Sequence, residues 1–171
     1  MGSAVGRQVS AAPKPAKRGP RPRKRIVRKA RPRKQRKSTL AALKRKLWEL
    51  FRMYVRKRDG NTCFSCGHGG LAATNWHAGH MFPAGGSSLL RYEPKNVHSQ
   101  CYRCNVNLAG NGAAYAAHFL DVYGLPEFER LSALSRRLKA WRAPEIEALI
   151  AAIQRSGADY ELAYAELYGL P

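Results

Sequence analysis

Apolar residues fall into regular patterns in only part of this chain. Leu40, Leu43, Leu47, Leu50, Phe51, Tyr54 and Val55 recur at three- and four-residue intervals with Lys and Arg between them. That spacing puts the apolar side chains on one face of a helix. Ser38-Thr39 supplies an N-cap, and Asp59-Gly60-Asn61 supplies the turn chemistry that ends it. Residues 61–111 then lose periodicity and become rich in Gly, Asn, Cys and His, which suits a small metal-held unit better than an apolar core. Helical spacing returns over 112–123, stopped by Gly124 and Pro126, and again over 127–141 and 145–153, separated by Ala143-Pro144. A short segment at 160–167 closes the chain, and no internal repeat is visible.

The first 38 residues show no such pattern. From Arg7 to Lys37 there are fifteen Lys and Arg, several Pro and no acidic residue. Such a segment cannot bury enough apolar surface to fold alone and is expected to be a disordered basic arm. Its Lys24, Arg25, Arg33 and Lys34 are candidate phosphate contacts that raise affinity without reading sequence. A purely solubilising tail would have the same composition. The predicted organisation is therefore an arm at 1–38, a cysteine-containing domain with its leading helix at 39–125, and a helical extension at 126–171.

Charge narrows the partner class. With 31 Lys and Arg against 11 Asp and Glu, the net charge is +20, an excess that a polyanion, nucleic acid first among them, would neutralise. No apolar run is long enough for a spanning helix, and Pro and Arg interrupt every short apolar stretch near the N-terminus, so no signal peptide or membrane partner is expected. The expected location is the cytoplasm, where four cysteines should not form disulfides.

The cysteines are paired. Cys63-Phe64-Ser65-Cys66 and Cys101-Tyr102-Arg103-Cys104 each let two thiolates face one ion from a tight turn, and two such turns complete a tetrahedral Cys₄ zinc site. Four thiolates close the coordination sphere, so this Zn²⁺ is structural and any chemistry must come from other residues. Between the pairs lie Trp76-His77-Ala78-Gly79-His80-Met81-Phe82-Pro83 and Asn96-Val97-His98-Ser99-Gln100, and Asn105 follows Cys104 directly. Neutral imidazole is a suitable base near pH 7, and imidazole and amide ligands can hold a divalent ion with positions left open. Arg91, Lys95 and Arg103 are close enough in sequence to clamp phosphates, although a solvated face explains them nearly as well. His98 is either a site residue or a structural hydrogen-bonding group.

The order C-x-x-C, G-H, N-x-x-x-x-C-x-x-C-N resembles the treble-clef arrangement of HNH and recombination endonuclease VII proteins, and most closely the phage NinG/Rap family of recombination nucleases. The resembling stretch runs over about 54–115. It includes Val55-Arg56-Lys57-Arg58-Asp59, Leu90-Arg91-Tyr92 and Gly110-Asn111 as well as the cysteine and histidine motifs. The resemblance implies a small α+β fold: a Cys₄ zinc-bound ββα-metal core flanked by α-helices, preceded by the basic arm. It implies a structure-selective endonuclease acting on branched DNA such as Holliday junctions or D-loops, with His80 as general base and Asn96 bracing its loop. His77 and Asn105 would hold a catalytic Mg²⁺ or Mn²⁺, and the products would carry 5′ phosphates and 3′ hydroxyls. One departure stands out: His77 occupies the position of an acidic ligand, which favours softer ions over Mg²⁺. Symmetric resolution also implies a homodimer, for which the 40–55 helix is a candidate face, and a recombination-protein partner. A less selective HNH nuclease and a non-catalytic zinc-knuckle DNA-binding protein are the alternative readings.

Overall fold

Thr39 opens the first helix, its side-chain oxygen accepting from the Ala42 amide at 3.3 Å. In the computed structural model, which describes residues 1–2 and 39–168, α1 spans Leu40–Asp59 and ends at Gly60, whose φ of 66° only glycine adopts without strain. The basic arm, with Lys24, Arg25, Arg33 and Lys34, lies outside the described residues, apart from its first two.

Two short strands follow. β1 (Trp76–His80) and β2 (Val97–Cys101) pair antiparallel with Trp76 opposite Cys101, His77 opposite Gln100, Gly79 opposite His98 and His80 opposite Val97. Among the described residues the sheet has only these two strands, so one edge of β1 is unpaired. A single π-turn at Arg103–Asn107 carries the chain from β2 into α2 (Gly112–Leu134). The helices α3 (Ala143–Arg155) and α4 (Gly157–Tyr168) complete the fold. The result is a small α+β protein, mostly helical, in which Cys63 and Cys66 sit in the loop between α1 and β1 while Cys101 ends β2 and Cys104 lies in the π-turn.

α1 owes its stability to tertiary packing. Leu43, Leu47, Phe51 and Val55 form its buried stripe and share one cluster with Ile146, Leu149, Ile150, Tyr160 and Tyr164 from α3 and α4. The 40–55 stripe offered as a dimer face is therefore covered by the chain's own C-terminal helices. Those helices in turn complete the same core as α1. A second cluster joins Leu89 and Leu90 to Tyr115, Phe119, Leu131 and Leu134, so the aperiodic segment contributes more apolar core than its composition suggests.

The helix expected over 127–141 stops at Leu134. Its last residues turn away because Ser88 captures them. Lys139 N donates to Ser88 Oγ at 2.6 Å, and Trp141 Nε1 donates to the Ser88 carbonyl at 2.8 Å, which satisfies a buried indole. The break foreseen at Gly124 is present as a kink with φ 78° and ψ 170°. Further on, α3 begins at Ala143 because Glu145 reaches back to the Arg142 amide at 2.8 Å, and α4 is one residue longer at its end than predicted.

α1 is fastened to β2 by its last two residues. Arg58 and Asp59 form a fork, Nε to Oδ1 at 2.6 Å and Nη2 to Oδ2 at 3.1 Å. Arg58 also donates to the Pro94 and Val97 carbonyls, both at 2.7 Å, and Asp59 accepts from the Ser99 amide at 2.7 Å. The Arg58-Asp59 end of the leading motif is thus a structural clamp.

Candidate metal centre and the histidine face

The four thiols converge. The Sγ atoms of Cys63, Cys66, Cys101 and Cys104 all lie within 4.8 Å of one another, and Cys66 and Cys101 are 4.0 Å apart. Tetrahedral zinc with Zn–S of about 2.3 Å needs sulfur–sulfur edges of about 3.8 Å, so the cluster fits a metal such as zinc. One backbone and one side-chain amide already turn inward: Cys104 N donates to Cys101 Sγ at 3.4 Å, and Asn111 Nδ2 donates to Cys104 Sγ at 3.4 Å. Without a cation, burial pushes the Cys104 thiol up to about 12. Burial also opposes ionisation of Cys63, but backbone amides outweigh it and lower that thiol. A divalent ion removes the conflict by holding all four as thiolates. The chain leaves the cluster through Ala109, Gly110 and Asn111, all at positive φ, and this tight turn returns the Gly110 carbonyl to Gln100 Nε2 at 2.7 Å.

Side chains alternate along β1, and this divides the predicted site. Trp76, Ala78 and His80 face α1, while His77 and Gly79 face the π-turn and α2. Trp76 donates to Ser99 Oγ at 2.8 Å and lies under Arg52 and Arg56. His80 stacks on Trp48 of α1, with ring centroids 5.6 Å apart and planes 11° from parallel. Its Nε2 is 3.1 Å from the Arg91 carbonyl. A carbonyl only accepts, so Nε2 carries the proton and Nδ1 keeps its lone pair. Burial lowers the pKa of His80, with the Arg91 carbonyl partly offsetting the effect. The ring is therefore neutral near pH 7.

On the opposite face, Gln100 and Asn105 come together at Gly79, and His77 is the register partner of Gln100 on the neighbouring strand. A Cβ on residue 79 would stand 1.8 Å from Gln100 Oε1 and 2.9 Å from Asn105 Oδ1. Gly79 is required for that close approach. Gln100 is completely buried, with its Nε2 held by Ser65 Oγ at 2.6 Å as well as by Gly110. Its Oε1 and His77 Nε2 are both buried with no hydrogen-bond partner among the described residues. An orphaned amide oxygen and an orphaned ring nitrogen, with the Asn105 amide oxygen beside the first, are atom types that a divalent cation can take when the His77 tautomer leaves Nε2 unprotonated. Sequence reasoning missed Gln100. Its only signal was its place two residues after His98 and directly before a C-x-x-C pair. The expectation of one compact set needs correcting, because His80 lies on the other face of β1 from His77 and Asn105.

The remaining candidates separate cleanly. Asn96 is fully buried, with Oδ1 accepting from the Phe82 amide at 2.9 Å and Nδ2 donating to the Phe82 and Leu90 carbonyls, each at 3.0 Å. These bonds join the loop after His80 to the turn that presents Arg91, and they use both ends of the amide. His98 belongs to the structural clamp: its Nδ1 sits between Asp59 Oδ2 at 3.1 Å and Arg58 Nη2 at 2.9 Å, and the ring stacks on Phe64 at 3.8 Å. Arg91 and Arg103 are exposed. Lys95 is committed to Glu127 at 3.3 Å.

Two predictions arise here. Gly79→Ala should cost about 1–3 kcal/mol, because Gln100 is pinned at its amide nitrogen and cannot swing away. The urea midpoint measures this, and an unchanged midpoint would show that the amides repack freely. The second concerns acid. Burial lowers the pKa of His98 below 6.5, so as pH falls through 6.5 the unfolded chain takes up a proton that the folded one refuses, and stability drops. Burial opposes ionisation of Asp59 too, but hydrogen bonds from His98 and Arg58 outweigh it and hold the carboxyl at about 2 rather than 3.8. Its contribution is complete above 3.8 and disappears between there and about 2. Glu93 acts oppositely, since burial raises its pKa and favours the folded state at low pH. Denaturant titrations at pH 7.5 and 5 should show a loss in the wild type that is smaller in His98→Gln. Equal losses would remove His98 from this account.

Fold and cluster together define a small α+β protein with four clustered cysteines that could hold a metal such as zinc, and a histidine-bearing strand against them. Residues 3–160 match the family model described as "Bacteriophage Lambda NinG protein", and the chain belongs to the NinG family. It is similar to the protein ninG of Salmonella phage P22 and that of Escherichia phage lambda, each 29% identical over 103 residues covering 60% of this chain and 49% of theirs. Protein ninG of Escherichia phage 933W is also 29% identical, covering 60% of this chain and 50% of its own. The chain spans about half the length of the curated relatives it matches. No solved structure matches it. No helix among the described residues is long and apolar enough to cross a membrane.

Proposed function

We propose that this chain is a metal-dependent DNA endonuclease of the HNH-like ββα-metal class, cutting at the free edge of β1. The observation that carries this reading is the pair of buried, unpartnered polar atoms on one face of the strand pair, His77 Nε2 and Gln100 Oε1, the latter close to the Asn105 amide at Gly79. A divalent cation would satisfy such a set. His80 is three residues along the same strand on the other face, so a phosphate lying across the unpaired edge would have His80 on one side and the amide set on the other. A divalent cation held by His77, Gln100 and Asn105 would supply the positive charge that stabilises the transition state and the leaving 3′ oxygen. His80 Nδ1 accepts the proton of the attacking water, while the Arg91 carbonyl and the Trp48 ring fix its tautomer and tilt. Asn96 keeps the loop that presents Arg91 against the end of β1. Attack on phosphorus leaves a 5′ phosphate and a 3′ hydroxyl.

Preference for branched DNA rests on the resemblance to the NinG/Rap nucleases, as do action as a homodimer and a recombination-protein partner. The decisive experiment is a panel of Mg²⁺, Mn²⁺ and Ni²⁺ on four-way, three-way and linear DNA. Cutting of the four-way junction in preference to the duplex supports the full reading. Equal cutting supports a less selective HNH nuclease. DNA binding without cutting under any ion supports a zinc-knuckle binding protein, which the placement of His80 and His77 on opposite faces would then explain. Because the three proposed ligands are neutral, His77→Asp is expected to shift the preferred ion toward Mg²⁺. An unchanged preference would exclude His77 as a ligand.

A further inference from the structure

Beside His80 lies a cleft of about 410 Å³, bounded by Lys44, Arg45 and Trp48 of α1, Arg91 of the turn before β2, and Lys139 and Trp141 of the segment between α2 and α3. It shares two residues with the His80 environment. Trp48 stacks on the imidazole and Arg91 holds its Nε2 through the backbone carbonyl. Its charge is entirely basic. Lys139 is paired with Glu145 at 2.7 Å, but Lys44, Arg45 and Arg91 have no acidic partner among the described residues. Its walls are firm. Ser88 ties down the 139–141 segment through Lys139 and Trp141, and the Tyr92 hydroxyl reaches the Lys44 carbonyl at 3.5 Å. Three unpaired cations converging on a concave, anchored surface next to a neutral imidazole call for an anion.

We infer that this cleft binds a backbone phosphodiester of DNA next to the one at His80, with Lys44, Arg45 and the Arg91 side chain as its contacts. The site is built from the leading helix and the segment between α2 and α3, with Arg91 added from the turn between β1 and β2. It therefore assigns those flanking elements a role in seating the strand. The inference rests on the DNA reading above but not on cleavage. Cations on α1 outside the cleft provide the comparison: Lys46 and Lys57 are exposed on the same helix and do not line it.

The test compares Lys44→Ala/Arg45→Ala with Lys46→Ala/Lys57→Ala in the full, zinc-loaded chain. Affinity for a fluorescein-labelled 20-base-pair duplex is read by anisotropy at several salt concentrations without added divalent ion. Both variants lose two charges from exposed or half-exposed helix positions, so net charge is matched. The cleft variant is expected to bind roughly tenfold more weakly than the matched control, and its log K against log salt slope should be about 1–2 units shallower than wild type, as expected for one or two lost phosphate contacts. Amine acylation of the wild type should show Lys44 protected by DNA and Lys46 unprotected. Equal affinities for the two double variants, or Lys44 acylated as fast with DNA as without, would overturn the inference. If the wild type cuts no DNA under any ion but the cleft variant still binds more weakly than its control, the nuclease reading fails and the cleft stands.

Discussion

Cys101→Ser is expected to release the bound metal and unfold the knuckle while leaving the helical core partly formed. Cys101 is the last residue of β2, faces Trp76 across the strands and belongs to the main buried cluster. Its thiolate is one of four, and three cannot close a tetrahedral structural site. Binding at such sites contributes on the order of 10 kcal/mol, comparable to the whole stability of a small domain. Most of that should act on residues 61–111, where the ion would tie the two cysteine turns together across the strand pair. The α1, α3 and α4 contacts through Phe51, Ile146 and Tyr160 do not depend on the ion. Expected measurements are the loss of one equivalent of zinc by mass spectrometry, loss of amide-exchange protection over Val97–Cys101, and a Tm lower by about 10 °C or more. Retained zinc and protection would mean that the thiols pack as small apolar groups and hold nothing.

How far these features could be read from the chain depended on whether their causes were local. The α1 stripe, the Gly60 stop, the Gly124 break and the paired cysteines all rest on spacing or on one residue's conformational range, and each is where the pattern put it. Non-local causes were invisible. The helix ending at Leu134 does so because Ser88, some fifty residues earlier, offers Oγ and a carbonyl to Lys139 and Trp141. The roles of Arg58 and Asp59 as a clamp depend on β2 lying against the end of α1. Gln100 is a ligand candidate only because the antiparallel register sets it opposite His77 and Gly79 clears a path for its amide. Alternation along β1 was the one step that simple periodicity could have supplied. His77 and His80 are an odd number of residues apart, which on a strand means opposite faces. A phosphate between them must lie at the strand's edge.

That geometry makes His80 the most informative position to change. His80→Gln keeps an N–H that can reach the Arg91 carbonyl and much of the contact with Trp48, but it has no group that can take a proton near pH 7. A base in this position typically contributes 10²–10⁴-fold to the rate. Cutting should therefore fall by about that factor, with zinc content and DNA affinity within about twofold of wild type. The pH profile separates this from a structural effect. In the proposed mechanism the neutral imidazole is the active form, and burial depresses its pKa below 6.5. Wild-type cutting should accordingly be level around pH 7–8 and decline only on the acid side of 6.5. The residual rate of His80→Gln should lack that decline. His80→Ala should lose the same activity and, by opening space beside Trp48, some stability as well. If His80→Gln cuts as fast as wild type, the proton goes elsewhere, and the amide-lined face of β1 with His77 would have to provide both the cation and the base.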